Sequence, residues 1–222
     1  MKGLGNPGAM VAAVVLIGGG LVIAGQGRGQ GDGGGYRIDP GESWVAAVTD
    51  KAGALGFLGH RHAVLVTDWQ AEVDWRPDEP AASRAVLTVP ARSLRIDTER
   101  GRELAGIGAG PGAADVAELQ EKMLSAENLA AERYPELRFR TAGVTRRKGG
   151  GLEVRGELTV RGRSRAVRFP VAVAPAGGGA TELTGRFTVD HSDFGIEPES
   201  IAGVVKVADP VEIRFRIVLR GS

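Results

Sequence analysis

From Leu152 to Val160 the chain places Leu152, Val154, Gly156, Leu158 and Val160 in alternation with Glu153, Arg155, Glu157 and Thr159. Successive side chains of a strand point to opposite faces, so this period of two creates one apolar face and one charged face. Gly162 then turns the chain into Val167, Phe169, Val171 and Val173, a hairpin partner. The pattern recurs in Leu137, Phe139 and Thr141, in Leu183, Gly185, Phe187 and Val189, and in Val211, Ile213, Phe215, Ile217 and Leu219. Trp44, Ala46 and Val48 alternate earlier, and Arg84 to Val89 gives a short strand stopped at Pro90. The longest run puts Ala63, Leu65, Thr67, Trp69, Ala71, Val73 and Trp75 on one face, opposite His62, Val64, Val66, Asp68, Gln70, Glu72 and Asp74.

About eight two-faced strands form either a sandwich or a barrel with its apolar faces turned inward. The charged outer faces exclude a barrel embedded in lipid, whose outward band must be apolar. The fold class is therefore all-β. One helix is expected over Ala114 to Asn128, where Val116, Leu119, Met123 and Leu124 recur at helical spacing. The preceding Gly101 to Gly112 reads as a mobile surface loop. It lacks the Gly-Lys-Ser/Thr ending and the strand–helix context of a phosphate-binding loop.

Ala9 to Ala24 carries no charge and follows a short leader containing Lys2. As a helix it would cover roughly 24 Å of a roughly 30 Å hydrocarbon core. Val22-Ile23-Ala24 offers the small residues that an export peptidase reads, so residues 1–24 are expected to be a signal peptide or an uncleaved anchor. Residues 25–35 form a Gly-rich linker, and residues 36–222 form the folded domain, working outside the cytoplasm, periplasmic or secreted. The absence of cysteine removes disulfides, thiolate catalysis and cysteine-ligated zinc. Lys+Arg 28 against Asp+Glu 27 leaves +1, so a nucleic-acid partner is not expected.

Two of the three histidines fall in Leu55-Gly56-Phe57-Leu58-Gly59-His60-Arg61-His62. Residues two apart on a strand share a face, so His60 and His62 could chelate a metal with His191 or a carboxylate such as Asp68 as third ligand. The alternative is a glycine-shaped turn that the histidines cap. Ser192, His191 and Asp193 contain the residue types of a hydrolytic triad, but adjacent side chains diverge and no Gly-x-Ser-x-Gly elbow occurs. No catalytic residue is assigned. The predicted inner faces carry Trp69, Val73, Trp75, Phe139, Leu158, Phe169, Phe187 and Phe215 beside small Ala46, Ala71, Gly156 and Gly185. Such an interior is either a dry core or a slender apolar cavity.

Several segments stand in a recognisable order. Tyr36-Arg37-Ile38-Asp39-Pro40 with Ser43 precedes Ile96-Asp97-Thr98, Met123-Leu124-Ser125-Ala126-Glu127 and Tyr134-Pro135 before Phe139. Gly156-Glu157-Leu158-Thr159-Val160-Arg161-Gly162 and Asp193-Phe194-Gly195-Ile196 follow. Over Tyr36 to Leu219 the chain resembles the YceI-like family of exported polyisoprenoid-binding proteins. The resemblance implies an antiparallel eight-stranded barrel of lipocalin type with one packed helix. It also implies a long apolar pore for an isoprenoid chain, such as a quinone tail or a polyprenyl phosphate, and in some relatives a link to stress responses.

The chain departs from the usual pattern at Gly59-His60-Arg61-His62 and in the longer connection Glu99 to Gly112, which could cover the pore mouth. The expected function is non-catalytic lipid binding or carriage, with the eight residues named above lining the pore and Phe57, His60, His62 and Asp193 at its mouth. By strand parity His62 points away from the pore. Expected partners are the isoprenoid lipid, the membrane if the N-terminal segment is retained, and a second copy of the chain; no cofactor beyond the lipid is expected. The alternatives are a metal-dependent exported enzyme using His60 and His62, and a filled barrel serving as an interaction module.

Overall fold

The computed structural model describes residues 35–52, 61–197, 200–201 and 205–221. The expected signal segment, residues 25–34 of the linker, Phe57 and His60 lie outside the described residues. Twelve strands form one sheet: β1 (Tyr36–Ile38), β2 (Trp44–Ala52), β3 (His62–Val66), β4 (Gln70–Asp74), β5 (Arg84–Pro90), β6 (Leu94–Ile96), β7 (Glu136–Arg146), β8 (Leu152–Val160), β9 (Arg163–Ala176), β10 (Ala180–Asp190), β11 (Ser200–Ile201) and β12 (Val205–Gly221). Among the described residues two α-helices accompany it, α1 (Glu99–Ala105) and α2 (Ala113–Leu124). Among the described residues no helix is long and apolar enough to cross a membrane.

Every pairing is antiparallel, and the hydrogen-bonded path runs β4-β5-β7-β8-β9-β10-β12-β2-β3-β6. The path closes through the chain itself. β3 runs into β4 across Thr67–Trp69, and β5 runs into β6 across the turn Ala91–Ser93. Val64↔Ile96 and Gln70↔Thr88 therefore belong to one long strand pair, bridged where Thr67 N donates to Ser93 O at 3.1 Å and Ser93 Oγ donates to Asp68 O at 2.9 Å. β1 and β2 likewise share one edge of β12, with Ile38 opposite Leu219 and Trp44 opposite Arg216. Counting β1–β2, β3–β4 and β5–β6 as single staves beside β7, β8, β9, β10 and β12 gives an eight-staved barrel. The all-β barrel expected from the resemblance is present.

The break at Thr67–Trp69 changes which side chains face inward. His62, Val64 and Val66 line the interior before it, and Ala71, Val73 and Trp75 after it. An irregularity of this kind re-aims the side chains that follow it, which uninterrupted alternation does not allow. The expectation that Ala63 and Leu65 face inward and His62 outward is thus reversed. Ala63 is fully buried on the outside, packed with Val48, Ala105 and Ile107. Ala46, opposite Leu65 and Arg214, belongs to that outer face as well.

The cover over that outer face is α1, in a segment expected to be a mobile loop. Thr98 Oγ1 accepts from Gly101 N at 3.0 Å to start the helix, and Gly106, at φ 61°, ends it. Gly101 falls at the start of that expected loop and instead lies inside the helix. Its missing side chain lets the helix lie against Leu65, whose Cβ would be 3.3 Å from a Cβ built there. The second helix, α2, stops at Leu124 rather than Asn128 because Asn128 Nδ2 and Leu129 N take the carbonyls of Lys122 and Met123. Gln120 of α2 completes the upper edge of β6. Its Oε1 accepts from Ile96 N and its Nε2 donates to Leu94 O, both at 3.0 Å.

Two glycines shape the interior. A Cβ on Gly156 would meet Phe139 Cε2 at 2.4 Å and Arg140 O at 2.7 Å, and one on Gly185 would meet Phe215 Cζ at 2.5 Å. Phe139 and Phe215 therefore lie flat over bare backbone, flanking Phe169 at ring separations of 5.8 and 5.7 Å, while Phe187 stacks on Phe169 at 4.4 Å. Gly156→Ala is expected to destabilise the barrel by about 1–3 kcal/mol through overpacking against an oxygen that cannot move aside. Gly177→Ala, where a Cβ would meet nothing within 4 Å, is the control and should change stability by less than about 0.5 kcal/mol. Urea unfolding of both variants checks this; equal stabilities would refute it.

Candidate functional site

The barrel encloses an apolar cavity of about 840 Å³. One end is shut by Ile38, Trp75, Val144, Leu152, Val171 and Leu219, all buried. At the other end lie the tips of β2, β3, β6, β8 and β10 together with α2, which contributes Leu119 and Met123 to the lining. Of the pore residues expected from the sequence, Val73, Trp75, Phe139, Leu158, Phe169, Phe187 and Phe215 line this cavity. Trp69 is buried in the same core but is not among the lining residues. Trp75 Nε1 is buried without a hydrogen-bond partner.

The mouth is built from short, specific ties. Arg161 and Gly162, with φ 51° and 68°, make the two-residue turn between β8 and β9. The Arg161 guanidinium donates to Gly195 O and, at 2.8 Å, to Ala126 O, fastening that turn to the chain on both sides. Phe194, only 2% exposed, packs with Val160 and Ile196 on the inner side of this corner. Asp193 stands outside it, half-buried and 3.4 Å from Arg165. The expected mouth residue Asp193 is thus on the outer flank of the corner, while its neighbour Phe194 lines the cavity.

His62 occupies the wall near the mouth, level with Thr49 across the β2–β3 ladder. Its Nδ1 lies 2.6 Å from Asp97 Oδ2, and the Asp97 side chain is fully buried. Ala63 N donates to Asp97 Oδ1 at 3.1 Å, and Arg102 Nη1 donates to the same oxygen at 2.5 Å. Asp97 reaches this position through a left-handed backbone, φ 51°, which aspartate tolerates better than most residues. The other Arg102 donors go to the carbonyls of Arg61, Gly108 and Ala109. Burial works to raise the Asp97 pKa, but the hydrogen bonds from His62, Ala63 and Arg102 hold it below its ordinary value.

His191 also lines the cavity, beyond β10. Its Nδ1 is buried without a normal hydrogen bond, and burial pushes its pKa below the usual histidine value against the opposing pull of the backbone at Ala208 and Asp209. Ser192 Oγ bonds Asp209 Oδ2 at 2.6 Å rather than His191, so the Ser192–His191–Asp193 grouping has no triad geometry. Among the described residues no three His, Cys, Asp or Glu side chains cluster as metal ligands. Neither Asp97 nor Arg102 stood out in the sequence as a site residue. The available signal was a lone aspartate between the apolar end of a strand and a Thr helix cap.

A family model, the YceI-like domain, matches residues 36–219. The chain belongs to the YceI-like family. Among solved structures, Burkholderia cenocepacia BcnA superposes with a TM-score of 0.62 at 21% identity, covering 82% of this chain and 99% of its own. The Campylobacter jejuni YceI protein gives 0.52 at 16% identity over 72% and 84% of the two chains. A polyisoprenoid-binding domain from Saccharophagus degradans implicated in plant cell wall breakdown gives 0.54 at 11% identity over 85% and 99%. At these identities the structural likeness speaks to the fold. No curated protein sequence matches the chain.

The Asp97 cluster should be visible in acid. Because its pKa is lower folded than unfolded, ionised Asp97 contributes stability that is fully present above about pH 4 and is lost as pH falls through the folded value. Urea midpoints between about pH 5 and 2 are expected to fall more steeply in the wild type than in Asp97→Asn; parallel curves would refute the assignment. Arg102→Met, which leaves the buried carboxylate without its cation, is expected to cost about 3–5 kcal/mol at neutral pH.

Proposed function

We propose that this YceI-like chain binds a long-chain isoprenoid lipid, with the tail in the barrel and the head group at the mouth, as a non-catalytic carrier or scavenger outside the cytoplasm. The observation that carries the reading is the cavity: about 840 Å³, lined by Phe139, Phe169, Phe187, Phe215 and aliphatic residues, shut at one end. Family membership and the printed description of the Saccharophagus degradans domain support it. The export part rests on the uncharged Ala9–Ala24 segment. Desolvating a hydrocarbon tail contributes about 0.8 kcal/mol per buried methylene before ordering costs.

Cavity size sets a length limit. At roughly 30 Å³ for a group the size of a water molecule, 840 Å³ holds about 28 such groups, or about five isoprene units. Prenyl alcohols of increasing length are therefore expected to bind the purified protein more tightly up to about five units and then level off. Leu158→Trp, which fills the lumen beside Phe139, should weaken binding at least about tenfold while the barrel stays folded. Tryptophan fluorescence titration and circular dichroism check both. Length-independent binding, or none together with no lipid extractable from the protein as isolated, would sink the proposal.

A further inference from the structure

Two histidines, His62 and His191, line the cavity, and His62 is the one held in a fixed orientation by a buried carboxylate, with its side chain 15% exposed. Asp97, accepting hydrogen bonds from His62, Ala63 and Arg102, is in the form that only accepts. The hydrogen shared with it must therefore sit on His62 Nδ1, which fixes the tautomer. Across the ring, Nε2 has no hydrogen-bond partner among the described residues, and in the neutral imidazole it is an acceptor. Arg102 offers no hydrogen bond to a ligand in its place, since its donors go to Asp97 and to the carbonyls of Arg61, Gly108 and Ala109.

The charges around the lining select the partner. Asp74, Asp115, Glu118 and Asp190 line the cavity against Arg84, Lys122 and Arg138, an excess of one carboxylate. That excess of carboxylate opposes a phosphate head group and leaves a neutral hydroxyl unopposed. A half-buried acceptor facing a hydroxyl gains a hydrogen bond, whereas facing a methyl ether it goes without one.

We infer that His62, held by Asp97, is the head-group anchor of the cavity and selects an isoprenoid bearing a hydroxyl, an alcohol or a phenol such as a reduced quinone, over a prenyl phosphate. This rests on the isoprenoid reading above and names the head group that the site takes. Asp97 and Arg102 act through His62 as positioning residues.

The test uses the full chain, delipidated, with geranylgeraniol, its methyl ether and geranylgeranyl phosphate as probes. The wild type should bind the alcohol roughly three- to tenfold more tightly than the ether, as one hydrogen bond provides. His62→Leu should bring the alcohol down to the affinity of the ether and leave the ether unchanged. With only three histidines in the chain, ¹⁵N-histidine labelling gives a readout on the unmutated protein. The alcohol should shift the His62 Nε2 resonance and the ether should not, which decides the matter even if His62→Leu fails to fold. Equal affinity for alcohol and ether in the wild type, discrimination that survives in His62→Leu, or tighter binding of the phosphate overturns the inference. Failure of the wild type to bind either the alcohol or the ether overturns the isoprenoid reading itself and the inference with it.

Discussion

Closure of the sheet is the constraint on which the rest depends. A ring of staves leaves no free edge, so each strand must satisfy hydrogen bonds on both sides while presenting one face to the interior. The first three staves achieve this only by breaking: at Asp39–Ser43 between β1 and β2, at Thr67–Trp69 between β3 and β4, and at Ala91–Ser93 between β5 and β6. Ser93 shows the mechanism. Its hydroxyl lies 2.9 Å from Asp68 O and 2.8 Å from Pro90 O, one donor shared between carbonyls that the interrupted ladder leaves near the break. Because parity changes across Thr67–Trp69, Ala63 comes to the outside and creates the small-residue surface that α1 covers. The helix and the inward turn of His62 have the same cause.

The interior stays open because its largest side chains lie against its walls. Phe139 over Gly156 and Phe215 over Gly185 fit only where no Cβ intervenes. With those rings flat, the barrel keeps a lumen that ordinary packing would have filled. Open at the mouth, the lumen of about 840 Å³ leaves its apolar lining in contact with water unless apolar matter enters it. A cavity with this lining is therefore a place for apolar matter, and a dry-core interaction module fits it poorly.

Strands with uninterrupted alternation were legible in the sequence, and so was most of the pore. Val73, Trp75, Phe139, Leu158, Phe169, Phe187 and Phe215 needed only a period of two and a sign for the charged face. Closure was not legible from pattern, since sandwich and barrel bury the same faces; it entered through the family resemblance. His62 was misplaced because parity was carried through a break whose residues, Thr67 to Trp69, continue the alternation without interruption. The glycine-rich Gly101 to Gly112 reads as a mobile loop, whereas Gly101 belongs to α1 and serves close approach to Leu65. Asp97 and Arg102 were invisible for a more general reason. A buried charge pair is made by tertiary convergence, and Arg102 looks in sequence like any other solvated arginine.

That pair has a cost that bears on its purpose. Taking Asp97 and Arg102 out of water is repaid only in part by their mutual attraction, and apolar replacements of similar volume are often as stable or more so. The barrel already has a sealed apolar end around Ile38, Trp75 and Leu219, so closing the wall near the mouth with hydrocarbon was open to it. Instead Arg102, from a helix outside the barrel, spends donors on four groups to fix one carboxylate, which in turn fixes one imidazole. A tail alone would bind such a cavity in either direction, because hydrocarbon contacts are non-directional. An oriented acceptor near the open end removes that degeneracy. On the reading proposed above, the His62 cluster therefore gives the cavity a direction, with the polar end of the ligand outward and the tail against the plug.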